Sequence, residues 1–520
     1  MDALVVFVPL LPFIAAVIIG MGQLSGLLNG EASEGKTAII ATWAISMSCL
    51  LALVLLTADL TQENTGSLQI GQWLSSDSLN ISVNFITTGF NVVLAALFSI
   101  LLLIIMRFST NYMHREAGFH RFFFILSLFA SAMFLLVLSG NAVGTFFGWE
   151  IAGLCSYLLI TYAYNRPVAS INATRVFVTN RIGDAGFILG IGFTYSWADS
   201  INWNDLNALS EQLSSNEATG ISLCFTIASL AKSAQLPFTP WLARAMEGPT
   251  PSSAIFYGAI MIHAGVYLVC LLEPIFEQAP LAMSILIASG ALTALYSFIV
   301  GLTQTDVKSS LVFATSGQIG LMFLECGLGF WDLARWHLCA HAIVRSYLFL
   351  TAPSLMHQVM DNPIKPVTPA IAKFHWLYMA SLQRFWLDQM TDWTLVRPIR
   401  RLAHDLNYFD DHFIDPFMGA PAPAIKTISS LAQLEERIIG ARLDNNADQF
   451  AQGSGLAGKL TELLASLVHW FEDRFVLRGI GKDAIHLGRK LGQGANKFEQ
   501  LILRPRYLVL FVLITLLLAF

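Results

Sequence analysis

Long apolar runs recur along the first 356 residues, each close to the length at which a helix crosses about 30 Å of hydrocarbon. The pattern predicts helices near 3–21, 37–58, 84–106, 121–140, 142–164, 172–197, 220–241, 251–273, 281–303, 307–327 and 333–356, with a shorter twelfth at 505–520. The first run, MDALVVFVPLLPFIAAVIIG, has no basic n-region or small-residue cleavage site, so it reads as a membrane helix. Residues 357–504 are different material. There charge mixes with apolar residues at helical spacing, as in WTLVRPIRRLAHDL and GKLTELLASLVHWFEDRF, the pattern of amphipathic helices lying on a membrane or on partners.

The connecting segments orient these helices. Residues 59–83 carry Asp59, Glu63 and Asp77 without a base, 198–219 carry Asp199, Asp205, Glu211 and Glu217, and 274–280 carry Glu277. The alternate connections bear Arg107, Arg115 and Arg121, then Arg166 and Arg175, then Arg244 and Lys308. Basic loops stay on the cytoplasmic side, so both termini are expected outside and 357–504 in the cytoplasm. Composition agrees: the chain is 55% hydrophobic and 12% charged, where soluble domains carry about 25% charged residues. The formal net charge of -5 says little about partners. The six cysteines fall inside or at the edges of apolar segments and form no C-x-x-C pair, so neither a disulfide framework nor a structural zinc site is suggested. No phosphate-binding loop, dinucleotide turn or nucleophile elbow is present, so the energy must come from an ion gradient or a partner.

Ionisable residues inside the apolar runs carry the candidate chemistry, because each costs several kcal/mol at mid-bilayer unless paired or hydrated. Glu150 stands in the fifth predicted helix and Lys232 in the seventh, where Pro237 and Pro240 predict a break that frees backbone carbonyls along a cavity. His263 lies on the eighth. His337, His341 and Arg345 stack on one face of the eleventh by their four-residue spacing, and Glu325 closes the tenth within reach of that face or of the surface. Arg181 and Asp184 are three apart in the sixth and can pair. One such residue could be a buried pair that fixes packing; one on each of six helices points to a proton relay, for which a desolvated lysine and histidines near neutrality are suited. His337 and His341 have no carboxylate ligand beside them in sequence, so no metal is assigned.

FFGWEIAGLCSYLLI, FVTNRIGDAGF, AKSAQLPFTPWLARAMEGPTPSSA, HAGVYL, QTDVKSSLVFATSGQIGLMF and WHLCAHAIVRSYLFL resemble the proton-conducting antiporter-like family. That family includes the L-type (ND5-like) subunit of respiratory complex I, the large Mrp antiporter subunits and the DabB-type subunit of inorganic-carbon uptake complexes. A second stretch, FWLDQMTDWTLVRPIRRLAHDLNYFDDHFIDPFM, is similar to the segment preceding the lateral helix of L-type subunits. The resemblance implies an all-α bundle of about twelve transmembrane helices. N-terminal helices would occupy 1–120, a complete first five-helix repeat 121–273, a shortened second repeat 281–356, amphipathic cytoplasmic or lateral helices 357–504, and an anchor 505–520. It implies a relay of Glu150 paired with Lys232, then His263, His337, His341 and Arg345, with Arg181, Asp184, Asp306, Lys308 and Glu325 as secondary candidates. Two positions depart from the family pattern: Tyr257 replaces a histidine, and Arg244 replaces an aspartate.

The expected function is proton conduction in a bacterial inner membrane, with membrane lipid as one partner and no nucleic acid. The short second repeat and the length favour a DabB-type subunit that energises a cytoplasmic DabA-type zinc protein for CO2 and bicarbonate uptake. The zinc would belong to that partner, and no cofactor is assigned to this chain. The alternatives are an L-type proton-pumping subunit among other complex I-like membrane subunits, and a cation/proton antiporter subunit. The chain itself is expected to be an energy-coupling subunit with no enzyme activity apart from its partners.

Overall fold

A computed structural model describes residues 2–76, 79–304, 306–360, 369, 373–410 and 414. The expected anchor at 505–520 and most of 357–504 lie outside the described residues. The chain divides into the units Met1–Val396 and Arg397–Phe520. In the second, the helix Arg397–Phe409 shows the expected amphipathic pattern, with Ile399, Leu402, Leu406 and Phe409 at helical spacing among Arg400, Arg401 and His404.

The first unit is a helical bundle. Its long helices are α1 (Phe7–Leu24), α2 (Glu34–Leu60), α3 (Gly89–Tyr112), α4 (Phe119–Leu138), α5 (Ala142–Ile160), α6 (Pro167–Ala198), α7 (Ser215–Lys232), α8 (Thr250–Leu271), α9 (Pro280–Gly301), α10 (Val307–Gly327) and α11 (Trp331–Met360). Among the described residues nine helices are long and apolar enough to cross a membrane. The seventh and eleventh predicted spans are helices too, but fall outside that nine. Serines and Lys232 dilute α7, and Asp332, Arg335, His337, His341 and Arg345 dilute α11.

Helix starts follow local chemistry. Asn141 accepts the Gly144 amide at 2.8 Å to cap α5, Ser214 and Glu217 form a capping box at α7, and Asp306 accepts the Ser309 amide at 2.8 Å to cap α10. Pro167 opens α6, where a missing N–H costs nothing.

Residues 59–83, read from sequence as a loop, contain most of an antiparallel hairpin, Ser67–Ser76 paired with Leu79–Ile86. The predicted third helix therefore begins too early: residues 84–86 belong to the second strand. The alternation Asn80-Ile81-Ser82-Val83-Asn84-Phe85 carried the strand period and was masked by the long apolar run behind it. The hairpin is tied down by an asparagine network. Asn141 Nδ2 donates to Ser82 O at 2.7 Å and to Asn84 Oδ1 at 2.5 Å, and Asn84 Nδ2 donates to Asn202 Oδ1 at 3.0 Å.

Without a hydrophobic force between helices in lipid, close approach rests on small residues. A Cβ on Gly148 would lie 2.5 Å from Ala132 O, so α5 touches α4 backbone to backbone. Gly290 and Gly320 do the same where α9 crosses α10: a Cβ on Gly320 would lie 2.7 Å from Gly290 O. On α6, Gly183 meets Ala231 and Gly186 meets the Cys224 carbonyl of α7, which brings Arg181 and Asp184 level with Lys232. Replacing Gly320 by Val is expected to lower the stability of the detergent-solubilised chain by about 1–3 kcal/mol through overpacking, read as a lowered thermal-unfolding midpoint; an unchanged midpoint would show that α9 and α10 do not cross there.

Candidate functional site

Two interruptions of helix build the centre of the bundle. Helix α7 ends at Lys232, so the lysine read as central is a C-terminal residue. The chain then turns through Ala234 (φ +51°) and restarts as the short helix Pro240–Arg244. This is the break that Pro237 and Pro240 predicted. Helix α8 is interrupted as well, by a π-helical stretch at Ala254–Ala259 and a 3-10 turn at Met261–His263. The nearest proline, Pro251, opens the predicted run three residues before the π-helical stretch, and the sequence reading took α8 as continuous. The two breaks are stitched together: Ser233 Oγ donates to Ile262 O at 2.7 Å and accepts from Gly265 N at 3.1 Å.

The first cluster gathers around Lys232, which is 1% exposed. Its ammonium donates to Trp149 O at 2.8 Å and stands 4.9 Å from the centroid of the Trp149 ring. A cation at a helix C-terminus is also favoured by the backbone dipole. Gly153 makes the approach possible: a Cβ there would sit 3.3 Å from Lys232 Nζ and 3.5 Å from Arg181 Nη2. Arg181 Nη1 donates to Glu150 Oε2 at 2.5 Å, its Nη2 reaches Asp184 Oδ2 at 2.7 Å, and Trp149 Nε1 donates to Asp184 Oδ1 at 2.8 Å. The pairing implied by the resemblance is therefore corrected. Glu150 is salt-bridged to Arg181, and Lys232 rests on a backbone carbonyl beside that pair. The expected Arg181–Asp184 pair is present. A guanidinium presents its donors in a rigid planar fork and here holds two carboxylates at once in fixed geometry, where a lysine would act as a single point charge.

The second cluster centres on His341. Its Nδ1 lies 2.8 Å from His263 Nε2, and its Nε2 accepts from Arg345 Nε at 3.2 Å. Arg345 can only donate, so His341 Nε2 is an acceptor, the neutral ring carries its proton on Nδ1, and that proton is donated to His263. His337 stands apart from this chain. Its Nδ1 is 2.9 Å from Glu325 Oε1 and its Nε2 is 2.9 Å from Gln318 Oε1. Glu325 thus reaches the histidine face, one of the two positions open to it in the sequence.

The remaining secondary candidates lie elsewhere. Asp306 is occupied in capping α10. Lys308 Nζ donates to Thr250 Oγ1 at 2.7 Å, which also meets Tyr112 OH at 2.9 Å. Tyr257 donates to Leu242 O at 2.9 Å and so anchors the short helix after the break. Arg244 pairs with Asp388 at 2.6 Å, and Arg175 with Asp392 at 2.5 Å. Residues 384–396, placed by sequence with the cytoplasmic platform, are thereby docked on α6 and on the restarted α7. Sequence reasoning missed Trp149, Gly153, Gln318, Asp388 and Asp392. Only the last two carried a signal, a four-residue spacing that puts both acids on one helical face.

The complex I chain 5 N-terminal domain model matches residues 73–123, and the transmembrane domain model of NADH:quinone oxidoreductase and Mrp antiporter matches residues 139–380. This chain belongs to the antiporter-like family of NADH:quinone oxidoreductase and Mrp antiporter membrane subunits. It is 34% identical over 384 residues to the chloroplastic NAD(P)H-quinone oxidoreductase subunit 5 of Zygnema circumcarinatum, covering 73% of this chain and 54% of that one. It is 35% identical over 372 residues to NADH-quinone oxidoreductase subunit L of Rhodobacter capsulatus, covering 67% and 50%. The chain thus spans about half the length of these curated relatives. A chain of the Mrp complex from Dietzia sp. DQ12-45-1b has the same fold, with a TM-score of 0.59 and 24% identity over 67% of this chain and 38% of that one. The antiporter-like fold and multi-pass membrane character expected from the sequence follow from these matches.

Because Asp184 is 4% exposed and Arg181 neutralises it together with Glu150, Arg181→Ala strands two carboxylates. The expected cost is about 3 kcal/mol, seen as loss of folded protein or a lowered thermal midpoint. Glu150→Gln keeps a hydrogen bond to Arg181 and is expected to fold.

Proposed function

We propose that this chain is the proton-translocating subunit of a multi-subunit membrane complex related to NADH-quinone oxidoreductase, in the position of an L-type subunit. The observation that carries the reading is the placing of Lys232 and His263 at two adjacent helix breaks, each joined to its own chain of buried polar groups. Broken helices in lipid persist where they line a polar path. The names of the curated relatives support this assembly over the DabB-type one.

In this mechanism Lys232 holds a proton against the Trp149 carbonyl. Arg181 pairs with both Glu150 and Asp184. When Arg181 turns outward, the carboxylates attract Lys232; when it turns back, Lys232 is released and gives its proton towards His263. The histidine pair then passes protons by accepting on one ring nitrogen and donating from the other. The partner complex supplies the energy by shifting Arg181 and the helix breaks. In a bacterial inner membrane the complex I-like subunits are the proposed neighbours.

Lys232→Ala is expected to reduce coupled proton transfer by about 100-fold or more, and Glu150→Ala to abolish it likewise, with assembly retained. Membrane vesicles holding the complete complex report this through a pH-sensitive dye, with co-purification of the partner subunits as the control. A wild-type gradient from assembled Lys232→Ala complex would falsify the relay.

A further inference from the structure

We propose that Glu325, His337 and Gln318 form a switchable outlet of the relay, through which protons pass between His341 and the aqueous rim of the bundle on the side of Glu273 and Asp332. The inference rests on the relay reading above.

Burial first sets the direction. His263 is 0% exposed and His341 is 6% exposed, whereas the side chains of His337 and Glu325 are 20% and 17% exposed. Accessibility therefore rises along the line from the helix break to the rim. The rim itself is defined by the turn between α10 and α11. Glu325 is the third residue from the end of α10, and His337 lies in the second turn of α11. Trp331 Nε1 donates to Glu277 Oε1 at 3.0 Å, and Arg335 bridges Glu273 and Asp332. Asp332 is 91% exposed, which marks this end as the wet one.

The charges there are divided. Arg335 serves Glu273 and Asp332, and Glu325 is paired with His337. A carboxylate matched to a histidine, rather than to an arginine, has a partner that can gain and lose a proton. It can exchange a proton with that partner, which a carboxylate held by a permanent cation does poorly.

His337 is also held out of the relay. Its ring centroid lies 6.2 Å from that of His341, and the rings are nearly perpendicular at 86°. Both nitrogens of each ring are engaged elsewhere, those of His341 by His263 and Arg345, those of His337 by Glu325 and Gln318. The arrangement is the disconnected one. Turning the His337 ring off Glu325 and Gln318 is what joins it to its neighbour one helical turn away. Gln318 sets the disconnected position because its amide can accept from Nε2 or, turned over, donate to it, and so suits either protonation state of the ring.

The step is a plain proton transfer. Protonated His337 gives the proton on Nδ1 to a Glu325 carboxylate oxygen. The imidazolium becomes neutral imidazole, the carboxylate becomes a carboxylic acid, and the Nε2 proton stays donated to Gln318. Water at the rim then takes the proton from Glu325. Uptake is the reverse.

The test uses vesicles containing the assembled complex, comparing wild type, E325Q, E325H, Q318L and K232A for proton flux and for the infrared carboxyl stretch. E325Q is expected to slow flux roughly tenfold or more, with E325H recovering most of it because a titratable group is restored. A protonated-carboxyl band that responds to acidification is expected in wild type and absent in E325Q, a signal that a purely structural glutamate does not produce. Q318L is expected to slow flux while keeping that band. Wild-type flux in E325Q with K232A inactive overturns the outlet and leaves the relay standing. Equal slowing in E325Q and E325H without a titrating band assigns Glu325 to packing and also overturns it. Wild-type flux in K232A removes the relay on which the outlet rests.

Discussion

The Arg181 guanidinium between Glu150 and Asp184 is the interaction on which the centre of this protein depends. Three charges stand together on two neighbouring helices, and a lysine is packed beside them at 1% exposure. In a low-dielectric interior such charges are tolerated only in close pairs with good geometry. The planar fork of arginine supplies that geometry. It leaves Lys232 out of direct ion pairing and resting on the Trp149 carbonyl. A site that binds a cation loosely beside a satisfied pair is better suited to exchange than one in which every charge is locked.

The helix breaks and the glycines make that site reachable. Ending α7 at Lys232 lets the side chain meet α5 from the end of its own helix, and Gly153 leaves the space for it. Gly183 and Gly186 draw α6 against α7, so Arg181 and Lys232 face the same point. Ser233 joins the α7 break to the α8 break, and through it the lysine cluster to the histidine chain. The docking of Asp388 and Asp392 on Arg244 and Arg175 adds a contact from the C-terminal side of the unit onto those same helices.

Much of this was legible in the chain. Apolar run length located the long helices of the described bundle, because a span must be continuous and apolar to satisfy its own backbone in lipid. The prolines marked the α7 break, and the spacing of His337, His341 and Arg345 marked one helical face. The hairpin was lost because a short alternating segment ran straight into an apolar helix. The α8 break has no proline at its own position, and Gly258 and His263 do not announce it by themselves. Gln318 and Trp149 look like ordinary helix residues until their neighbours are known.

The sequence by itself determined that the protein lives in a membrane, where its charges sit along each helix, and which family it joins. These follow from length, hydropathy and motif, which are properties of neighbours in the chain. Tertiary structure decided the partners: Arg181 for Glu150, a backbone carbonyl for Lys232, His341 for His263, Glu325 for His337. Helix rotation and the close approach allowed by a few glycines fix those distances, and the differences between competing pairings are too small and too geometric to be read from residue order.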